Sequence, residues 1–156
     1  MTDKTMKLTE HFTLGEMTAS KSHPEVPNNP DEKQIENLRF VCHWLENLRD
    51  AYNTFYPSED GKEQPIKISS GYRSKMLNYV VGGVSDSNHL TGCAADIVCK
   101  DCKQAIRYAA ILIDIFRHDE RFLWDEIIIE RKGVKFWLHF AIRPEKNRGK
   151  VTCIEL

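Results

Sequence analysis

Two histidines and one aspartate carry the reactive chemistry most visible in this chain. His89 and Asp96 fall within SDSNHLTGCAADI (Ser85 to Ile97), and His139 within WLHFAI. Imidazole nitrogens and carboxylate oxygens are zinc donors, and a catalytic zinc takes about three protein ligands while keeping a further position open. His89 lies in a polar approach, and Gly92 lets the chain turn tightly between it and the run that bears Asp96. Between its Ala-Ala and Ile-Val neighbours, an ionised Asp96 is costly unless a cation or hydrogen bonds compensate it, so either a metal or a buried arginine is called for. A single histidine in an apolar strand is more often a packed core residue than a ligand, and no compact HExxH is present. Residue types and spacing therefore leave both readings of these side chains open.

The elements that must position them follow from the pattern. A short HFTLGEM segment is followed by SHPEVPNNP, which cannot continue a helix and belongs at the surface. A helix then begins, with Asn29 as its cap, Pro30 in its first turn and Glu32 at the reciprocal capping position. Ile35, Leu38, Val41, Cys42, Leu45, Leu48 and Tyr52 form its apolar stripe. IKISSGYRS alternates like a strand and breaks at Gly71, leaving Arg73 just beyond the strand end. A helical turn over Lys75 to Val80 leads through Gly82-Gly83 to the buried strand CAADIV, and an Asp101/Gln104 capping pair opens a helix to about Phe116. EIIIE and KFWLHFAI form an antiparallel hairpin, and VTCIEL adds a last strand. A tight turn at Lys132-Gly133 would set Glu130 opposite Lys135 and Glu126 opposite His139.

Bulk properties narrow the function classes. The chain has 156 residues, 41% of them apolar, enough for one α+β domain over 1–156 with a central antiparallel sheet packed against helices. With 22 Lys and Arg against 23 Asp and Glu, no basic field exists to hold a phosphate backbone, which argues against nucleic acid as a partner. No stretch approaches the roughly 18 apolar residues of a membrane span, and the N-terminus lacks the apolar core of a secretory signal, so a cytoplasmic site of synthesis is expected. The odd number of cysteines, 5, fits reduced thiols. Cys99 and Cys102 form a C-x-x-C at a strand-to-helix junction, which is half of a structural zinc site.

Several segments together carry a resemblance. SGYRS (Ser70 to Ser74), LNYVVGG (Leu77 to Gly83), SNHLTGCAADI (Ser87 to Ile97), WDEIIIE (Trp124 to Glu130) and WLHFAI (Trp137 to Ile142) resemble, in order, the motifs of the M15 zinc peptidases. They look most like the small D-alanyl-D-alanine carboxypeptidase-like branch found among phage and bacterial cell-wall hydrolases. The resemblance implies a hedgehog/DD-peptidase-like α+β fold and one Zn²⁺ held by His89, Asp96 and His139. Arg73 would then face the substrate carbonyl. Tyr72, Ser87 and Trp137 are candidate substrate contacts, with a core role the alternative for the two aromatic rings. It also implies hydrolysis of stem peptides or cross-links of peptidoglycan, by a carboxypeptidase or an endopeptidase such as an endolysin released to the wall.

In several members of the wider family an acidic residue three positions before the last histidine is the general base; here that position holds Phe136. Glu130 matches the terminal acid of the branch's WDxxIxE pattern and is the expected base. Glu126 is the alternative base, or else a group that steadies a ligand. Glu130 paired with Lys135 across the hairpin is the plain structural alternative. Phe136 also favours a rival reading, a zinc-stabilised module of the same fold that binds cell-wall peptides or a protein without cutting.

Overall fold

Strict alternation along three neighbouring strands divides the sheet into an apolar face and a polar one. A computed structural model describes residues 3–156. Its elements run α1 (Leu14–Thr18), α2 (Glu32–Phe55), β1 (Ile68–Ser70), α3 (Lys75–Val80), a 3₁₀ turn (Asn88–Thr91), β2 (Ala94–Cys99), α4 (Cys102–Arg117), β3 (Glu126–Lys132), β4 (Lys135–Ala141) and β5 (Lys150–Glu155). The five strands form one sheet in the order β1-β2-β4-β3-β5. The first four pair antiparallel, and β5 adds to β3 in parallel. The fold is therefore α+β around one sheet, as expected, with a parallel strand at one edge. Among the described residues no helix is long and apolar enough to cross a membrane.

One face of the sheet carries Ala95, Ile97 and Cys99 from β2, Ile127 and Ile129 from β3, and Phe136, Leu138 and Phe140 from β4. The stripes of α2 (Leu38, Val41, Cys42, Leu45, Leu48, Tyr52) and α4 (Ala105, Tyr108, Ala109, Leu112, Phe116) cover it and complete the core. Period two then sends Asp96, Val98, Glu126, Ile128, Glu130, Trp137 and His139 to the opposite face, which α2 and α4 leave uncovered. That uncovered face is where the cleft lies.

Local chemistry explains the helix starts. Asp101 caps α4, its side chain accepting from Gln104 N at 2.8 Å. The α2 cap is Asp31 with Gln34 as reciprocal partner, two residues beyond the expected Asn29. The chain before it is held extended by buried Asn28, whose amide donates to Thr18 O and Tyr72 O, each at 2.8 Å, and whose oxygen accepts from Ser74 N. The Asp31/Gln34 pair is thus the first capping box available to it.

The hairpin turn also lies one residue later than expected, at Gly133-Val134, with Lys132 opposite Lys135. Gly133 has φ 60°, as the first central residue of a tight hairpin turn favours. The shift moves every pairing by two residues: Glu130 faces Trp137, Ile128 faces His139 and Glu126 faces Ala141. An even shift preserves the side of the sheet, so Glu126 and Glu130 still share a face with His139, one on each diagonal. Glu130 does not pair with Lys135.

Candidate metal centre

The 3₁₀ turn that carries His89 is gripped by the SGYR segment. Gly71 O accepts from His89 Nδ1 at 2.6 Å, and Arg73 N donates to His89 O at 3.0 Å. Gly71 is required there because a Cβ would collide with the Met17 carbonyl. Gly92 closes the turn in the left-handed region, φ 74°, against the Gln34 carbonyl. A backbone carbonyl can only accept, so His89 Nδ1 carries hydrogen and Nε2 is the edge turned inward.

That inward edge meets Asp96. His89 Nε2 lies 3.2 Å and His139 Nδ1 3.0 Å from the same oxygen, Asp96 Oδ1. One donor atom from each of the three residues lies within 4.8 Å of the others, and they are only 2%, 6% and 8% exposed for His89, Asp96 and His139. Asp96 Oδ2 accepts from Arg73 Nη2 at 2.9 Å. The two explanations for a buried Asp96, arginine partner and imidazole-rich cation site, thus coexist on its two oxygens. Two imidazoles and a carboxylate, buried and convergent, are a donor set suited to a divalent ion such as zinc.

Electrostatics follow the contacts. Burial disfavours the Asp96 carboxylate, but the imidazoles of His89 and His139 outweigh it and hold its pKa well below the usual carboxylate range. Burial pushes His89 down. His139 has a carboxylate at each ring edge, with Glu126 Oε1 3.2 Å from Nε2. Burial lowers its pKa, yet the bonds to Asp96 and Glu126 carry it up to about 10. Glu126 is correspondingly pulled down to about 2, first by His139.

These residues lie at the floor of a cleft of about 750 Å³ that is also lined by Ser87, Arg73, Glu126, Glu130 and Trp137. Glu130 is half-buried and forms no ion pair among the described residues. Burial and then the Asp96 charge raise its pKa above the ordinary glutamate value. Arg73 reaches the cleft with its guanidinium also bonded to Ser70 Oγ at 2.9 Å and Asn78 Oδ1 at 3.4 Å. Ser87 caps the 3₁₀ turn, its Oγ accepting from His89 N. Tyr72 departs from expectation: it is buried in the core beside α2, away from the cleft. Its side chain lies beside Asp31 and Gln34.

Cys99 faces the core, where burial pushes its thiol up to about 12, and Cys102 is exposed. Neither belongs to a metal-ligating cluster among the described residues. Sequence reading passed over Asn88, Asp125, Arg143 and Arg148, which bond to one another behind His139. Asp125 alone gave a signal, as a charged residue at the entrance to an apolar strand.

The family model described as Peptidase M15 matches residues 10–115. That span covers more than half of the chain and includes the SGYR and SNHLTGCAAD segments, and the chain belongs to the M15 peptidase family. The match ends before Glu126, Glu130 and His139, which the sheet brings to Asp96. No curated protein gives a significant match.

Proposed function

We propose that this protein is a zinc-dependent peptidase that hydrolyses peptide bonds in the stem peptides or cross-links of bacterial peptidoglycan. The observation that carries the reading is the convergence of His89 Nε2 and His139 Nδ1 on one oxygen of Asp96 at the floor of an open cleft. His89, Asp96 and His139 would hold one Zn²⁺, with His139 giving up its Nδ1 proton on binding. Bound there, the ion supplies Lewis acidity, polarising a carbonyl and bringing the pKa of a water toward about 7.

The side chains around it do the rest. Glu130, raised toward the range useful to a base, takes the proton of the attacking water and returns it to the leaving amine nitrogen. Arg73 steadies Asp96 and turns its remaining guanidinium edge to the charge that develops on the carbonyl oxygen. Ser87 Oγ accepts from the His89 amide and keeps its own hydrogen for substrate. Trp137, opposite Glu130, supplies an apolar wall. Glu126, bonded to the outer edge of His139, orients that ring rather than acting as base.

Phe136 does not weigh against catalysis. Strand alternation turns position 136 into the core, so a carboxylate there could not reach the cleft in this chain.

Mass spectrometry of products from defined muropeptides tests the reading. Zinc-loaded protein should release D-alanine or split a cross-link, and Glu130→Gln should lower kcat by about 10²- to 10⁴-fold with zinc content unchanged. Bound zinc with no product from any fragment would leave the non-cutting wall-binding module as the better account.

A further inference from the structure

Behind His139 lies a second polar cluster that takes no part in the chemistry above. Asn88, next in sequence to His89, is buried, and its side-chain amide is fully used. Nδ2 donates to Asp125 Oδ2 at 2.7 Å and to Glu126 Oε1 at 2.7 Å, while Oδ1 accepts from Arg143 Nε at 2.8 Å. Two carboxylates on one side and a guanidinium on the other fix which end of the amide is nitrogen. Asp125, 0% exposed, is itself anchored by Arg148, whose backbone N and Nε reach Oδ1 at 3.0 Å each and whose Nη2 reaches Oδ2 at 2.8 Å. Arg143 Nε also stands 3.3 Å from Asp125 Oδ2.

We propose that Asn88 is a positioning residue: by bridging Asp125 and Glu126 it holds the Glu126 carboxylate against the Nε2 edge of His139 and so sets which edge of that ring meets Asp96. The inference rests on reading His89, Asp96 and His139 as a metal centre. Glu126 Oε1 receives both the Asn88 amide and the His139 edge, so the carboxylate is pinned from two sides. Without the amide it is free to rotate toward Arg148, already 3.6 Å from its other oxygen. Asn88 also straps the turn bearing His89 to the strand beside His139, joining the two halves of the site. Groups one bond beyond a metal ligand commonly change affinity by about 10- to 100-fold.

The test uses the full chain as wild type, Asn88→Ala, Glu126→Gln and the double variant. Zinc affinity is read by competition with a chromogenic chelator. Proton–nitrogen spectra of histidine-labelled, metal-free protein report the His139 Nε2–H, with the His89 Nδ1–H on Gly71 as internal control. Asn88→Ala should weaken zinc binding about 10- to 100-fold and lose the His139 signal to exchange while the His89 signal stays. Because Asn88 acts through Glu126, the double variant should bind zinc no more weakly than Glu126→Gln alone. Unchanged affinity and an unchanged His139 signal in Asn88→Ala, or strictly additive losses, overturn the proposal. Should Asn88→Ala not fold, Asn88→Asp keeps the shape without the donor, and unaltered zinc binding there overturns it equally. If wild type takes up no zinc, the metal reading falls, and the His139 signal still decides the role of Asn88.

Discussion

Asp96 and His139 stand directly opposite each other across β2 and β4, and their side chains meet at 3.0 Å on the uncovered face of the sheet. A ladder pair is among the most rigid ways to fix two donors, because neither can move without breaking backbone bonds on both sides. His89 is then the only member of the group brought by a turn, and that turn is itself tied to Gly71 and Arg73.

Replacing Asp96 tests this geometry. Asp96→Asn removes the charge that faces Arg73, which is itself largely buried. Zinc affinity should fall by more than about 100-fold. The metal-free protein should lose about 3–5 kcal/mol in urea unfolding, the usual penalty for orphaning one side of a buried pair.

Metal removal should be visible in stability. A ligand that binds only the folded chain adds about 2.7 kcal/mol at a concentration 100 times its Kd. Thermal unfolding with zinc should therefore show a higher midpoint than with chelator. His139→Ala, expected to lose the site, should show the same midpoint in both conditions.

Asp125, held by Arg148 and Asn88, gives a pH signature of its own. Burial opposes its charge, but the bonds from Arg148 and Asn88 prevail and lower its pKa in the folded protein. A carboxyl with a depressed folded pKa contributes stability that is present above its unfolded pKa and lost as pH falls through the folded one. Asp125→Asn should be less stable than wild type by about 2–3 kcal/mol at pH 6–7, since hydrogen bonds to charged groups carry about 1.5–3 kcal/mol each and Arg148 can turn to solvent. The gap should narrow steadily as the pH is taken below about 4, where an unfolded aspartate titrates.

Position 136 offers a test of facing. Phe136→Glu should create no new base; it should bury a charge on the helix-covered face and lower the urea midpoint sharply, with Glu130→Gln activity not rescued. Recovery of turnover in the Phe136→Glu, Glu130→Gln double variant would show that position 136 reaches the cleft after all.

Much of this was legible in the sequence because it is written in local chemistry. The α4 start is announced by Asp101 and Gln104, and β2 by an apolar run that only Asp96 interrupts. Errors arose where two local signals compete. Asn29 with Glu32 and Asp31 with Gln34 are both capping pairs, and only the tertiary anchor at Asn28 selects the second. Turns at Lys132-Gly133 and Gly133-Val134 both use the glycine, and the choice moves the register by two residues. For Tyr72 the sequence allows either the cleft or the core, and the fold buries it in the core. The Asn88 bridge was out of reach because its partners lie 37 and 38 positions away and no periodicity links them.

The strand order has a consequence for how the molecule assembles. β4 sits in the middle of the sheet, yet one of its neighbours, β2, comes from before α4, so the Asp96–His139 pair closes a loop of 43 residues. Distant pairings of this kind carry a loop-closure cost that local elements do not, and they tend to form late. Metal uptake during refolding should thus lag behind helix formation, and the appearance of a tightly held ion would mark the moment at which the last inner strand slots into place.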